Sequence, residues 1–144
     1  MKRISRTVAL CLVFAAGVAV AKEGVTNPTV KARMDTMQTI RQNVAVLGDM
    51  ATGKSAYDGA AAQAAQAALA AAAGTIIERF TPAETDPVTE AKPEIWTSFD
   101  DFSARARSLA DAAAALDASS LDGVRAGMGA VGGACRECHT VYRM

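Results

Sequence analysis

Apolar residues recur in alternating steps of three and four along four stretches of the chain, the spacing typical of amphipathic helices. The first stretch opens with Asn27 and Pro28, an N-cap and a first helical position, and is predicted to run to about Ala51. The Thr-Gly-Lys segment 52–54 is expected to end it. The apolar stripe of this first predicted helix consists of Met37, Ile40, Val44, Leu47 and Ala51.

The second predicted helix is built almost entirely from alanine. It is expected from about Tyr57 to Phe80, after a capping box formed by Ser55 and Asp58. Residues 60–73 are nearly all alanine, the best helix former, which favours a packed helix over a disordered low-complexity tract. Its larger contacts are expected from Leu69, Ala73, Ile76 and Phe80.

Two further helices follow a predicted loop over Thr81–Lys92. The third is expected to start at Pro93, and the fourth to be capped by Ser119 with Asp122 after a connection at Asp117–Ser120. Four helices with short links and no strand signals predict an all-α, antiparallel up-down-up-down four-helix bundle. The third stripe holds Ile95, Phe99, Phe102, Ala106, Leu109, Ala113 and Leu116, and the fourth holds Leu121, Val124, Met128, Val131, Cys135, Cys138 and Tyr142.

Residues 1–21 are predicted to be a secretory signal peptide rather than part of the bundle. Lys2, Arg3 and Arg6 form a basic start, an apolar run covers Val8–Val20, and small residues place the cleavage site after Ala21. The alternative is an N-terminal membrane anchor, but the apolar run is too short for a full span. We therefore expect export with cleavage of the signal peptide.

The remaining domain, residues 22–144, is expected to be mildly acidic. The chain has 15 basic and 15 acidic residues, and the signal peptide removes three basic ones, which leaves three more acidic than basic residues. This balance argues against nucleic acid as a partner. No second apolar segment of membrane-spanning length is expected, and hence no stable membrane insertion.

The chemistry is concentrated in the pentapeptide Cys135-Arg136-Glu137-Cys138-His139 of the fourth predicted helix. The domain contains no other cysteine and no other histidine. Spacings of three and four place Cys135, Cys138 and His139 on one helix face, so both thiols can add to vinyl groups of one haem while the imidazole lies under the iron. The pattern is typical of c-type haem attachment, and a covalent cofactor cannot diffuse away from an exported protein.

Three other interpretations of the pentapeptide remain. The cysteines could form a structural or redox disulfide, although no βαβ pattern supports a thioredoxin-like fold. They could form half of a zinc site, but zinc needs four ligands and the domain offers too few cysteines and histidines. The pattern could also be chance, yet it coincides with an export signal, a sole histidine and an apolar helix stripe.

With these features the chain resembles the class II c-type cytochromes, the cytochrome c′ family. The resemblance is carried by Cys135–Arg143, by Lys92–Trp96, and by Val30–Arg33 followed by Ala56–Asp58, and it covers the whole domain. It implies a periplasmic four-helix bundle with one haem c bound near the C-terminus. It also implies a tendency to form homodimers through the first and second helices.

The two branches of that family differ in the first-helix residue that faces the iron. One branch has an apolar residue and five-coordinate iron, and the other has a methionine that binds the iron and makes it low-spin. If Arg33 matches the family's first-helix arginine, the facing residue is Met37, and the chain resembles the methionine-ligated branch. Met34 is the competing methionine, at a position where the five-coordinate branch often has glutamine. From the residues alone, Met37 also fits a flexible core filler, as does Met128.

Three further residues are expected in the haem environment. The resemblance places Arg33 near a haem propionate, although it also fits an ordinary solvated side chain. Arg143 lies four residues after His139 and is expected to stack beside the imidazole or to reach a propionate. Trp96 is expected in the core near a helix start, and the resemblance also places it close to the haem.

The predicted function is one-electron transfer with His139 and Met37 as iron ligands and with redox proteins of the periplasm as partners. Such a carrier is not an enzyme. The main rival is a five-coordinate haem module that binds nitric oxide or carbon monoxide, which an apolar residue at position 37 would have favoured. A peroxide-using enzyme is a weaker rival, since it needs polar distal groups and the sole histidine is already the proximal ligand.

Overall fold

The computed structural model describes residues 24–144, which fold into six helices; the predicted signal peptide at residues 1–21 lies outside the described residues. The first helix packs against the second, the second against the fifth, the fifth against the sixth, and the sixth against the first. The four long helices therefore close an antiparallel up-down-up-down bundle, as predicted. The helices are α1 Pro28–Thr52, α2 Gly59–Gly74, α3 Ile76–Phe80, α4 Glu94–Thr97, α5 Phe99–Ala115 and α6 Leu121–Tyr142.

Helix α1 begins and ends within one residue of its predicted bounds. The Asn27 side chain caps it by accepting hydrogen bonds from the backbone N–H groups of Thr29 and Val30 at 2.9 and 3.1 Å. Gly53 ends it with φ of 79°, a left-handed conformation that favours glycine. Ile40 and Leu47 of the predicted stripe are buried in the core.

The predicted second helix is divided, and the predicted capping box of Ser55 and Asp58 is wrong. Asp58 rather than Ser55 is the N-cap, accepting a hydrogen bond from Ala61 N at 2.9 Å. At the other end the Thr75 hydroxyl donates to the Ala72 carbonyl at 2.9 Å, a local bond that competes with the helical ladder. Together with the weak helix propensity of Gly74, this separates α2 from α3.

The run Gly59–Phe80 is long and apolar enough to cross a membrane by length and composition, with a mean hydropathy of 1.4. The prediction that no second apolar segment of this length exists is therefore wrong. Much of this hydropathy comes from alanine, and the run is interrupted at Thr75. Leu69 and Ala73 are buried, and α2 packs against α1 and α5 as one of the four long helices of the bundle.

The predicted third helix is also divided, at Ser98, whose φ of −132° and ψ of 43° are not helical. The short α4 is anchored by Trp96, whose indole Nε1 donates to the Phe80 carbonyl at 2.8 Å. Helix α5 then starts with Asp100 and Asp101 in its first turn, where carboxylates are favourable at the positive end of a helix.

The connection between α5 and α6 is tighter than the sequence suggested. Leu116 caps α5 instead of extending it, and Ser120 rather than Ser119 caps α6 by accepting from Gly123 N at 3.1 Å. A Cβ atom on Gly123 would lie 2.5 Å from the Asp117 carbonyl oxygen, so only glycine allows this close approach.

A buried carboxylate fixes the loop between α3 and α4 to the start of α1. Asp86 is 4% exposed, and its Oδ2 accepts from the backbone N–H groups of Thr26 and Asn27, both at 2.9 Å. Its Oδ1 accepts from Val88 N at 3.1 Å. These backbone donors lower the pKa of Asp86 to about 2, because they stabilise the carboxylate form.

We expect Asp86→Asn to lower the thermal midpoint at neutral pH, since an amide cannot accept all of these bonds. Because the folded-state pKa of about 2 lies below the ordinary value of 3.8, the stabilisation is complete above about pH 4 and lost as the pH falls through about 2. The midpoint difference between wild type and variant should shrink over that window. Circular dichroism melts measure it, with the exposed Asp111→Asn on α5 as control. A difference independent of pH would contradict this account.

Candidate haem site

A cavity of about 570 Å³ lies between α1, α5 and α6 and is bordered by the loop before α4. A cavity of this size is within the range of small-molecule and cofactor sites, which is roughly 300–1,000 Å³. The bundle therefore has room for a haem-sized group next to α6. The apolar part of the wall includes Val30, Ile40, Val44, Ile76, Ile95 and Leu109.

Helix α6 presents the Cys-x-x-Cys-His motif to this cavity. Cys135, Cys138 and His139 all line it, and the two cysteines are half-buried free thiols. Burial raises the pKa of both thiols, and the positive charge of Arg105 opposes that rise at Cys138. Both sulfur atoms are thus available for covalent attachment rather than joined in a disulfide.

Within residues 24–144, no group of three or more His, Cys, Asp and Glu side chains is placed to hold a metal ion.

The state of the His139 imidazole suits a metal ligand. His139 is an exposed residue at the edge of the cavity; partial desolvation and then the nearby charge of Arg143 lower its pKa, and Glu90 opposes this shift. The imidazole is therefore neutral at neutral pH, the form whose ring nitrogen can donate a lone pair to iron.

Helix α1 contributes two half-buried methionines, Met34 and Met37, to the cavity wall. Both are therefore placed on the same cavity as His139. Met128 is not among the lining residues; it packs against the core, with its Cε 3.7 Å from the position of a Cβ on Gly48. A thioether is thus available to the site from α1, as the sequence predicts.

Arg33 lines the same cavity, but most of its donors are already engaged. It is 2% exposed, and its guanidinium donates to the carbonyls of Arg79 at 2.9 Å, Glu84 at 2.8 Å and Pro82. Burial lowers its pKa, and the Glu84 carboxylate opposes the shift. Since a guanidinium has five N–H donors, a propionate bond from Arg33 depends on the two that remain.

Trp96 lies behind Arg33 rather than at the cavity wall. The Arg33 guanidinium carbon is 5.0 Å from the Trp96 ring centroid and 5.1 Å from that of Phe80, so the cation is held between two aromatic rings. The half-buried tryptophan is a core residue, as expected, and its contact with the cavity passes through Arg33.

The segment after His139 is fixed to the loop before α4. Arg143 lines the cavity and pairs with Glu90 through Nε, 2.8 Å from Oε2. Next to this ion pair, Lys92 N donates to the Tyr142 carbonyl at 3.0 Å and Met144 N donates to the Glu90 carbonyl at 2.9 Å. The end of α6 is therefore held from outside the helix, close to the predicted iron ligand.

Sequence reasoning missed three charged residues that surround the motif. Arg105 lines the cavity, Asp101 binds Arg105, and Glu90 binds Arg143. The i, i+4 spacing of Asp101 and Arg105 on α5 was a signal for their pairing. Glu90 lies in a loop, and no periodic pattern could have placed it.

An antiparallel four-helix bundle whose last helix presents Cys-x-x-Cys-His to a cavity between the helices defines a bundle cytochrome of the c type. The sequence pattern of the Cytochrome C′ family matches residues 28–143. The chain belongs to the cytochrome c′ family, and its cofactor is haem c.

The relatives of this chain include proteins named cytochrome c-556 and proteins named cytochrome c′. Cytochrome c-556 of Agrobacterium tumefaciens is 34% identical over 118 residues, which covers 78% of this chain and 92% of that protein. The structure of cytochrome c′ from Rubrivivax gelatinosus has a TM-score of 0.74 at 27% identity, over 81% of this chain and 94% of that one. The nitric oxide complex of a mutant cytochrome c prime from Alcaligenes xylosoxidans has a TM-score of 0.72 at 28% identity, over 80% and 93%.

Proposed function

We propose that this protein is an exported one-electron carrier in which Cys135 and Cys138 hold the haem and His139 and Met37 ligate its iron. The haem supplies one-electron chemistry when bound, by changing between the ferric and ferrous states. The observation that carries the proposal is that one cavity is lined by His139, by Met37 and by both free thiols.

The protein's part in this function is to supply two different ligands from two rigid helices. The neutral imidazole of His139 comes from α6, and the soft thioether of Met37 comes from α1. A His/Met pair favours the reduced state and so raises the reduction potential. Because both ligands lie on long packed helices, we expect little rearrangement on electron transfer.

The haem environment that we propose includes Arg33, Arg143 and Trp96. Arg33 and Arg143 line the cavity and offer charge-assisted hydrogen bonds to propionates. Trp96 acts through Arg33, because its ring and that of Phe80 hold the guanidinium in place.

The cellular context of the proposal rests on the sequence. It comprises a signal peptide cleaved after Ala21, a periplasmic location, redox proteins as partners and no catalytic activity. A homodimer through α1 and α2 stays a prediction. Its support is the outer face of α2, where exposed alanines such as Ala60, Ala64 and Ala71 allow close approach of a second copy.

A second candidate function is the binding of nitric oxide or carbon monoxide. Its support is the apolar cavity wall together with the structural likeness to a cytochrome c prime solved as a nitric oxide complex. The methionine at position 37 favours electron transfer, because a thioether on the iron must leave before a gas can bind.

Attachment and export can be tested by intact mass spectrometry of the denatured protein after expression in a host that matures c-type cytochromes. We expect the mass of residues 22–144 plus one haem, with neither Cys135 nor Cys138 open to alkylation. A mass without haem, or two alkylated thiols, would contradict covalent attachment. A mass that still includes residues 1–21 would contradict cleavage after Ala21.

A further inference from the structure

A charged cluster on α5 contacts the haem-binding end of α6. The Asp101 Oδ2 atom accepts hydrogen bonds from Arg105 Nε and from the Tyr142 hydroxyl, both at 2.7 Å. Arg105 Nη1 donates in turn to the Glu137 carbonyl at 3.2 Å. One carboxylate thus connects α5 to two points on α6, one directly and one through an arginine.

These two points lie on either side of Cys138 and His139. Glu137 directly precedes Cys138, and Tyr142 follows His139 by three residues. Tyr142 is 4% exposed and its ring meets Phe102 edge-on with centroids 5.5 Å apart, so its side chain is packed in the core. Contacts on both sides of Cys138 and His139 restrict how this turn of α6 can rotate or slide along α5.

Of the two charged residues in the cluster, only Arg105 lines the cavity. Arg105 is a lining residue and its charge acts on Cys138, whereas Asp101 lies behind it and is not a lining residue. Hydrogen bonds from Arg105 and Tyr142 lower the pKa of Asp101, and Asp101 raises the pKa of Arg105. Both groups are therefore ionised at neutral pH, with the cation facing the cofactor site.

We propose that Asp101 and Arg105 are positioning residues that fix the attachment turn of α6 and set the reduction potential of the haem through their opposite charges. This inference rests on the proposed attachment at Cys135 and Cys138. The inference adds to that proposal the two residues that adjust the reduction potential of the haem.

The sign of each effect follows from electrostatics. A cation near the cofactor stabilises the added electron, so Arg105→Gln should lower the reduction potential. Asp101→Asn removes an anion and should raise it. We expect each change to alter the ferrous-to-ferric ratio at a fixed potential about five- to tenfold, as for a charge interaction partly screened by water.

Redox titration of the purified holoprotein, followed by its visible spectrum, tests this inference. Arg107→Gln and Asp111→Asn are matched controls, because they remove the same charges from exposed positions on α5 that do not line the cavity. Arg105→Lys keeps the charge without the forked donor, and should restore most of the potential while leaving a lower thermal midpoint than wild type. Circular dichroism of each variant shows that the helices are intact.

Shifts of opposite sign at Arg105 and Asp101, both larger than those of the controls, support the inference. Shifts of the same sign, or shifts no larger than the controls, overturn it, as does failure of Arg105→Lys to restore the potential. The outcome is independent of the sixth ligand, because a high-spin wild type would contradict Met37 ligation but would leave the opposite signs intact.

Discussion

Met37→Ala should convert a low-spin protein that binds carbon monoxide slowly into a high-spin protein that binds it at least about a hundredfold faster, a barrier change of about 2.7 kcal/mol. The physical reason is that carbon monoxide must displace the thioether in the wild type. In the variant a space lined by apolar residues such as Ile40 replaces it. The reduction potential should also fall, because the thioether favours the ferrous state. Visible spectra and flow kinetics with carbon monoxide measure these effects.

Met34→Ala is the matched control, since Met34 lines the same cavity from the same helix. It should leave the spectrum and the carbon monoxide rate almost unchanged. If Met34→Ala and not Met37→Ala produces the high-spin protein, the ligand assignment on α1 is wrong by one turn. If neither variant changes the spectrum, neither Met34 nor Met37 ligates the iron.

The second large effect is expected from Cys135→Ala combined with Cys138→Ala, which should abolish covalent haem. The helices of this bundle surround a cavity of about 570 Å³, and α2 contributes mostly alanine to the core. Without the cofactor, apolar walls face an empty or water-filled space, and we expect a stability loss of about 3 kcal/mol or more. Denaturant unfolding of holoprotein and variant, each followed by circular dichroism, measures the difference.

Wild-type apoprotein is the control that separates the cofactor from the thiols. It should unfold at the same denaturant concentration as the double variant, because both lack the haem and differ only in two sulfur atoms. Trp96 is the sole tryptophan and reports this transition by fluorescence. A double variant as stable as the wild-type holoprotein would show that the haem contributes little to the core.

The bundle could be predicted from the sequence because its signals are local. The apolar stripe of α1 and the Asn27–Pro28 start fix that helix, and the observed bounds agree with the predicted ones. The breaks at Thr75 and Ser98 could not be predicted in the same way. At Thr75 a side chain bonds back to its own turn, and before Ser98 the Trp96 indole bonds to the Phe80 carbonyl, a contact that exists only in the folded state.

The candidate site also contains one part that the sequence predicts and another that it does not. The Cys-x-x-Cys-His motif is contiguous in sequence, so its placement on one cavity-facing turn of α6 follows from helix geometry alone. The surroundings of Arg33 could not be predicted in this way, because its three carbonyl partners lie in α3 and the loop that follows it, about 50 positions further along the chain. Glu90 is likewise brought to Arg143 by a loop whose path no periodicity encodes.

The visible spectrum of the purified wild-type protein, recorded in both oxidation states with and without carbon monoxide, tests most directly whether His139 and Met37 share the iron. The account predicts low-spin spectra in both states and a ferrous spectrum that carbon monoxide changes only slowly. A high-spin spectrum in either state, with immediate binding of carbon monoxide, would contradict Met37 ligation and would make gas binding the favoured function.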